Sequence, residues 1–187
     1  MNRPQKSAVW ISLATVAIFV VAMRLFGAPA TQPKITFDVS GATPRQVEDQ
    51  TRESIVRDYG KAWQGLTEAL AQNRPELLNA GFAGFAREHW GAAVTAQKKS
   101  SLSRKIIDRG HHLQALFYSV EGSAMQLRDT AQLEIQYLDN GKVIHSEQVT
   151  QHFIVLMTPA ENSWKVRLLQ EVPGDSTQQA LLVGESR

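Results

Sequence analysis

The stretch MQLRDTAQLEIQYLDNGKVIHSEQVTQHFIVLM, Met125–Met157, decides the fold class. From Met125 to Leu138 its side chains alternate. Leu127, Ala131, Leu133, Ile135 and Tyr137 fall on one face, and Gln132, Glu134 and Gln136 on the other. A period of two is that of a strand with one face buried. Asp139-Asn140-Gly141-Lys142 follows, and Asn-Gly supplies the φ > 0 residues that a tight hairpin turn requires. Val143–Met157 is then the return strand.

Reading outward, a strand over His112–Glu121 precedes the hairpin and ends at Gly122, and Ile106-Ile107 adds a short one before it. Pro159–Ser163 makes a second turn, Trp164–Glu171 is the last strand, and residues 173–187 form a polar tail with a Leu181-Leu182-Val183 patch. Upstream of Arg104 the period changes to 3.6. Val47, Ile55, Tyr59, Trp63, Leu66 and Leu70 lie at helical spacing, which predicts a long amphipathic helix over Pro44–Gln72, with Thr43-Pro44 as its start. Asn73 as cap, Pro75 in the first turn and Glu76 as capping carboxylate predict a short helix over Pro75–Asn79. Phe82–Lys99, with Phe85, Trp90 and Val94, reads as a third helix that Gly81, Gly84 and Gly91 weaken.

Helices first and an antiparallel meander second is the α+β pattern. About four strands have one face to bury, and the long helix is the available cover. The expected core holds Ile55, Tyr59, Trp63, Leu66, Leu133, Ile135, Phe153, Val155 and Trp164.

The N-terminal region has a different character. Ser7–Phe26, SAVWISLATVAIFVVAMRLF, carries one charge, Arg24, and is long enough for a helix to cross the hydrocarbon core. Arg3 and Lys6 precede it, which by the positive-inside rule keeps residues 1–6 in the cytoplasm and sends the rest across. Ala28-Pro29-Ala30 matches a signal-peptidase site, so a cleaved leader is the rival reading. The long apolar run from Ala8 to Met23 favours the uncleaved anchor. Residues 27–43 read as a linker with a short extended piece at Lys34–Val39.

Charge and composition exclude several functions. The 187-residue chain has a formal net charge of +2 and a pI near 9.0, with 20 basic and 18 acidic residues. Three of the basic residues, and no acidic one, lie in residues 1–30, which leaves 17 basic against 18 acidic. The folded part lacks the basic footprint of a phosphate-backbone binder, so no nucleic-acid partner is expected. There is no cysteine, which excludes disulfides, thiolate catalysis and cysteine-held metals. No Asn-x-Ser/Thr sequon occurs. Together these favour a bacterial inner-membrane protein with its domain in the periplasm.

The order of elements resembles the nuclear-transport-factor-two-like superfamily, a cone of three helices and a bent antiparallel sheet. The residues that carry it are Tyr59-Gly60-Lys61-Ala62-Trp63 in the long helix, the helix near Pro75, the strands Ala131–Tyr137 and Thr150–Met157, and the terminal Trp164-Lys165-Val166. It covers residues 44–172. It implies an enzyme, a small-molecule binder or a non-catalytic assembly module. Membrane-anchored members of the superfamily are mostly of the last kind.

His111 and His112 are adjacent on a strand and point to opposite faces, so they cannot share a metal. No metal site or cofactor is expected, and exposed or edge positions are the expectation for these histidines. His152 shares a strand face with Ile154 and Leu156. If that face lines the cone, His152 joins Tyr59, Trp63 and Glu121 as the candidate ligand-binding pocket. No catalytic constellation stands out, and Trp63 and Trp90 read as core anchors. Lys98–Lys105 is a basic run suited to a solvated loop, to anionic headgroups or to an acidic partner. Apolar residues on both faces of Val149–Met157 leave an outer face that suits a partner. The expectation is a membrane-tethered extracytoplasmic interaction module without catalytic activity, joined to itself as a homodimer or to an envelope protein. A binder of a small apolar ligand is the alternative, and a cone enzyme the remoter one.

Overall fold

A computed structural model describes residues 33–174. The expected membrane segment, Ser7–Phe26, and the Leu181-Leu182-Val183 patch lie outside the described residues. Among the described residues no helix is long and apolar enough to cross a membrane.

The chain runs β1 (Lys34–Asp38), α1 (Asp49–Gln72), a 3-10 helix (Pro75–Ala80), α2 (Gly84–Lys98), then β2 (Leu102–Tyr118), β3 (Met125–Asp139), β4 (Lys142–Ala160) and β5 (Ser163–Val172). The strands form one sheet in sequence order. β2 to β5 are antiparallel neighbours, and β1 pairs with β2 in parallel, Lys34 opposite Gly110 and Asp38 opposite Gln114. Bulges interrupt the ladder at Asp108/Gly110, Ala115/Phe117, Tyr137/Leu138 and Leu156/Met157. A bulge bends its strand, which lets long strands curl over helices. α1 packs on β2, β5 and β1, and α2 on β5, β2 and the 3-10 helix. The fold is therefore an α+β cone with five strands in a mixed sheet, where about four antiparallel strands were expected.

The core follows the amphipathic pattern. Ile55, Tyr59, Trp63, Leu66 and Leu70 of α1 meet Leu113, Leu127, Leu133, Ile135, Phe153, Val155 and Met157 of the sheet, all buried. Trp164 and Trp90 are half-buried and pack against this cluster. Gly81 lets the turn after the 3-10 helix press on α1: an added Cβ would lie 2.4 Å from the Ala62 Cα. Asn140 and Gly141 turn the β3–β4 hairpin with φ of 48° and 80°, as the Asn-Gly pair predicts.

Two boundaries and one cap differ from the sequence reading. Helix α1 starts at Asp49, because Thr43 and Arg45 are tied to Tyr118: Tyr118 N donates to Thr43 O at 2.9 Å, and Arg45 N to Tyr118 O at 3.4 Å. Those bonds hold the Pro44 segment against β2 and out of helical geometry. Asn73 caps nothing that follows. It ends α1 in the left-handed region, its N–H returning to Ala69 O, and Glu76 accepts from Arg74 instead. Strand β2 begins at Leu102, ten residues before His112, and it absorbs Ile106-Ile107. Of its first four residues Leu102 and Lys105 are exposed and Ser103 and Arg104 half-buried, so their strand character comes from pairing with β3 rather than from buried alternation.

Candidate functional site

The polar centre of the molecule lies under α1. Tyr59 and Trp63 are one helical turn apart and point at the sheet. Opposite them, the Asp108/Gly110 bulge in β2 brings both Asp108 and His111 to the inner face. On β3, Asp129 occupies the inner row between Leu127 and Ala131. Tyr59 Oη donates to Asp129 Oδ2 at 2.7 Å. His111 Nδ1 lies 2.8 Å from the same oxygen, and His111 Nε2 lies 3.0 Å from Asp108 Oδ2. Helix, second strand and third strand are thus joined through one imidazole and two carboxylates.

Both ring nitrogens of His111 face carboxylate oxygens, so both must donate, and the ring is an imidazolium. Burial works against that charge. The bonds to Asp108 and Asp129 outweigh it and raise the pKa to about 9. Burial, and then the Asp129 charge, push the Tyr59 phenol well above its ordinary value. The Trp63 indole N–H lies on the side of the Tyr59 oxygen and eases that rise, though not in hydrogen-bond geometry. Asp108 Oδ1 and Asp129 Oδ1 are buried with no hydrogen-bond partner among the described residues. A second buried carboxylate, Asp58, accepts from Trp164 N at 2.8 Å and from Arg57, tying α1 to β5. Burial opposes its charge, but the Arg57 and Trp164 bonds hold its pKa below the usual carboxylate value.

An acid, a base and a phenol in one chain could move a proton, but a substrate would need a way in. Tyr59 and Asp129 are 0% exposed and Trp63 is 1% exposed. Aromatic rings occupy the middle: Trp63 lies 4.6 Å from His111 and 5.5 Å from Phe153, centroid to centroid, and Tyr59 lies 5.5 Å from His111. Two surface depressions of about 330 and 310 Å³ are lined by Phe37, Arg52, Glu53, Val56 and Arg57, and by Arg109, Gln132, Leu133, Gln148, Val149 and Thr150. No member of the Tyr59–Asp129–His111–Asp108 chain lines either one.

Of the four residues expected to share a pocket, only Tyr59 and Trp63 come together. Glu121 is exposed in the β2–β3 turn. His152 lies on the opposite face of the sheet, where its Nδ1 is 3.2 Å from Thr130 Oγ1, because β4 turns Phe153, Val155 and Met157 inward. His111 is buried, against the expectation for the histidines, while His112 points outward to Thr36 as adjacency on a strand requires. Asp129 had a legible signal. It stands in phase with Leu127, Ala131 and Leu133, and a carboxylate in an apolar row must find a buried partner. His111, in phase with Leu113 and Ala115, is that partner.

The outer face is partly apolar. Phe117, Leu156 and Leu168 lie in one cross-strand row with Gln126, and Ile154 follows two residues before Leu156 on β4. Ile154, Leu156 and Leu168 are half-exposed, as the apolar residues on both faces of β4 foretold.

No family model matches the sequence, and no curated protein matches it. Solved structures do match. The intermembrane space region of the chloroplast protein ARC6 superposes with a TM-score of 0.56 at 14% identity, covering 70% of this chain and 100% of that one. A scytalone dehydratase-like protein of Novosphingobium aromaticivorans gives 0.46 at 12%, over 67% and 89% of the two chains. Aln2 of a Streptomyces species gives 0.46 at 10%, over 73% and 99%. The likeness to the ARC6 region establishes the cone fold; identities this low carry nothing about activity.

Proposed function

We propose that this chain is a membrane-tethered, extracytoplasmic protein-interaction module that works through its outer surface. The observation that carries the reading is the closed interior. The place where a cone fold could hold a ligand is occupied by the rings of Tyr59, Trp63, His111 and Phe153. The Tyr59 hydroxyl and both His111 ring nitrogens bond to the Asp129 and Asp108 carboxylates, which makes the chain of Asp108, His111, Asp129 and Tyr59 a clasp between helix and sheet. Recognition then falls to the exterior, where Phe117, Ile154, Leu156 and Leu168 offer apolar surface among polar neighbours. Ser7–Phe26 supplies the tether, with the N-terminus in the cytoplasm of a bacterial cell. Tethering concentrates the module beside other envelope proteins, so modest contacts suffice for assembly. The ARC6 match supports this by analogy of setting, since that cone is itself a region placed between membranes.

The absence of cysteine makes the test direct. Single cysteines at Phe117, Leu156 and Leu168, carrying a photocrosslinker in intact cells, are expected to capture a second copy or one recurrent envelope protein. Recovery of the monomer alone from all three, together with a small molecule in native mass spectra, overturns the reading in favour of a ligand binder. External protease on spheroplasts checks the topology. A domain that stays protected until the inner membrane is opened rules out the periplasmic placement.

A further inference from the structure

The end of the sheet farthest from the β4–β5 turn is unlike the rest of the molecule. There the C-terminus of α2, the start of β2 and the β3–β4 turn converge: Leu102 pairs with Asp139, and Asn140 N donates to Ser101 O at 3.1 Å. Leu102, Val143 and Ile144 are 55%, 46% and 59% exposed. Ile144 is the residue bulged out of the ladder, since Tyr137 pairs with His145 and Leu138 with Val143. Around these apolar side chains stand Lys98, Lys99, Lys105 and Lys142, all exposed or nearly so, and the half-buried Arg104. Residues 98–105 and 137–145 hold these five cations and one acid, Asp139, for a net of +4. The described residues as a whole hold 16 basic and 16 acidic side chains. The positive charge is therefore concentrated at one tip, and the rest of the described residues, with 11 basic against 15 acidic side chains, carries a net of −4.

We infer that this tip, the β3–β4 hairpin end with its ring of lysines, docks on an anionic bilayer surface, Val143, Ile144 and Leu102 entering the headgroup layer. Apolar side chains flanked by cations are what an interfacial contact requires. An acidic protein would match the cations but would leave the solvent-facing Ile144 bulge without a role. The direction of the chain points the same way. β1 is parallel to β2, so its Lys34 end faces the tip end of the sheet. Lys34 pairs with Gly110, eight residues along β2 from Leu102, about 26 Å at roughly 3.3 Å per residue. In the tethered reading, the bilayer that holds residues 7–26 is the anionic surface on offer to the tip. This last step rests on the tethered reading; the charge and exposure of the tip do not.

The full chain, with Ile144→Cys carrying an environment-sensitive fluorophore, tests the inference in vesicles of phosphatidylcholine with and without phosphatidylglycerol. With the anionic lipid, the probe should shift to the blue and be quenched by nitroxide-bearing lipids. The same probe at Glu161→Cys, in the β4–β5 turn, should stay aqueous in both. Lys99→Glu with Lys105→Glu should lower the docked-to-free ratio by about tenfold or more, and high salt should act in the same direction. A position-144 probe that stays aqueous on anionic vesicles overturns the inference. So does an equal response at position 161. An aqueous probe together with charge-sensitive crosslinking of the tip to an acidic protein overturns it in favour of that partner. Carbonate extraction judges the tether separately, and a chain that it strips from membranes is added to preformed vesicles and read with the same probe.

Discussion

The same strands have two different lives along their length. Under α1, β3 and β4 turn Leu127, Asp129, Ala131, Leu133, Phe153, Val155 and Met157 into a dry interior. Beyond the helix, β4 runs through Lys142, Val143, Ile144, His145 and Ser146 with every side chain exposed. Backbone pairing of β3 with β4 runs through both halves, interrupted at the Tyr137/Leu138 bulge. What differs is the cover, and with it the meaning of each side chain. Under the helix a polar group must be bonded and an apolar one must fit; past the helix neither is constrained by the fold. The covered half accounts for stability, and the uncovered half is open to carry function.

The largest expected effect lies in the covered half. Trp63 is buried against His111, Tyr59 and Phe153, so Trp63→Ala leaves a cavity with few ways to collapse. It should cost about 3–5 kcal/mol, measured by urea unfolding of the chain in mild detergent. A cost below about 1 kcal/mol would mean that the interior repacks freely, and the contrast between the halves would fail.

Next is a pH dependence. The folded pKa of His111 is raised to about 9 from an ordinary value of 6.5. A raised pKa means the folded state holds the proton more tightly, so the stabilisation is fully present below about pH 6.5. It is lost as pH rises through the folded value, a loss on the order of 3 kcal/mol between about pH 6.5 and 9. Unfolding curves at about pH 6 and pH 9.5 should show it, and His111→Gln should flatten the difference. Asp129→Asn is smaller, about 1.5–3 kcal/mol, the worth of hydrogen bonds to a charged group. It should also move the pH-dependent loss to lower pH, because one of the two anions holding the imidazolium is gone. A loss that stays near pH 9 in this variant would assign the effect to another group.

The sequence showed the covered half far better than the uncovered one, and for a physical reason. Alternation is a record of one-sided burial, so it was clear in Leu127–Tyr137 and absent in Leu102–Arg109, where β2 is mostly wet. The hairpin turn was legible because Asn140 and Gly141 must take positive φ. The partner of Asp129 was not, because the residues that meet it come from 18 and 70 positions away and depend on a bulge beside Gly110 that no local pattern marks. The side of His152 stayed open because a strand with apolar residues on both faces does not say which face the helix covers.

The smallest effect belongs to the tip. Ile144 is 59% exposed, bulged from the ladder and absent from the hydrophobic core. Ile144→Ser therefore removes no buried area that folding created, and surface changes of this kind stay within about 0.5 kcal/mol. Lys99 and Lys105 form no ion pair among the described residues, so reversing them should be similarly mild. The expected result is an unfolding midpoint matching that of the parent chain for Ile144→Ser, alongside the full loss for Trp63→Ala. Stability and surface attachment would then respond to different halves of one sheet. A drop of about 2 kcal/mol or more on Ile144→Ser, on the scale of a buried side chain, would show that something in the folded chain covers the hairpin. The tip would then be an internal contact, and the division between a covered core and a free end would have to be redrawn.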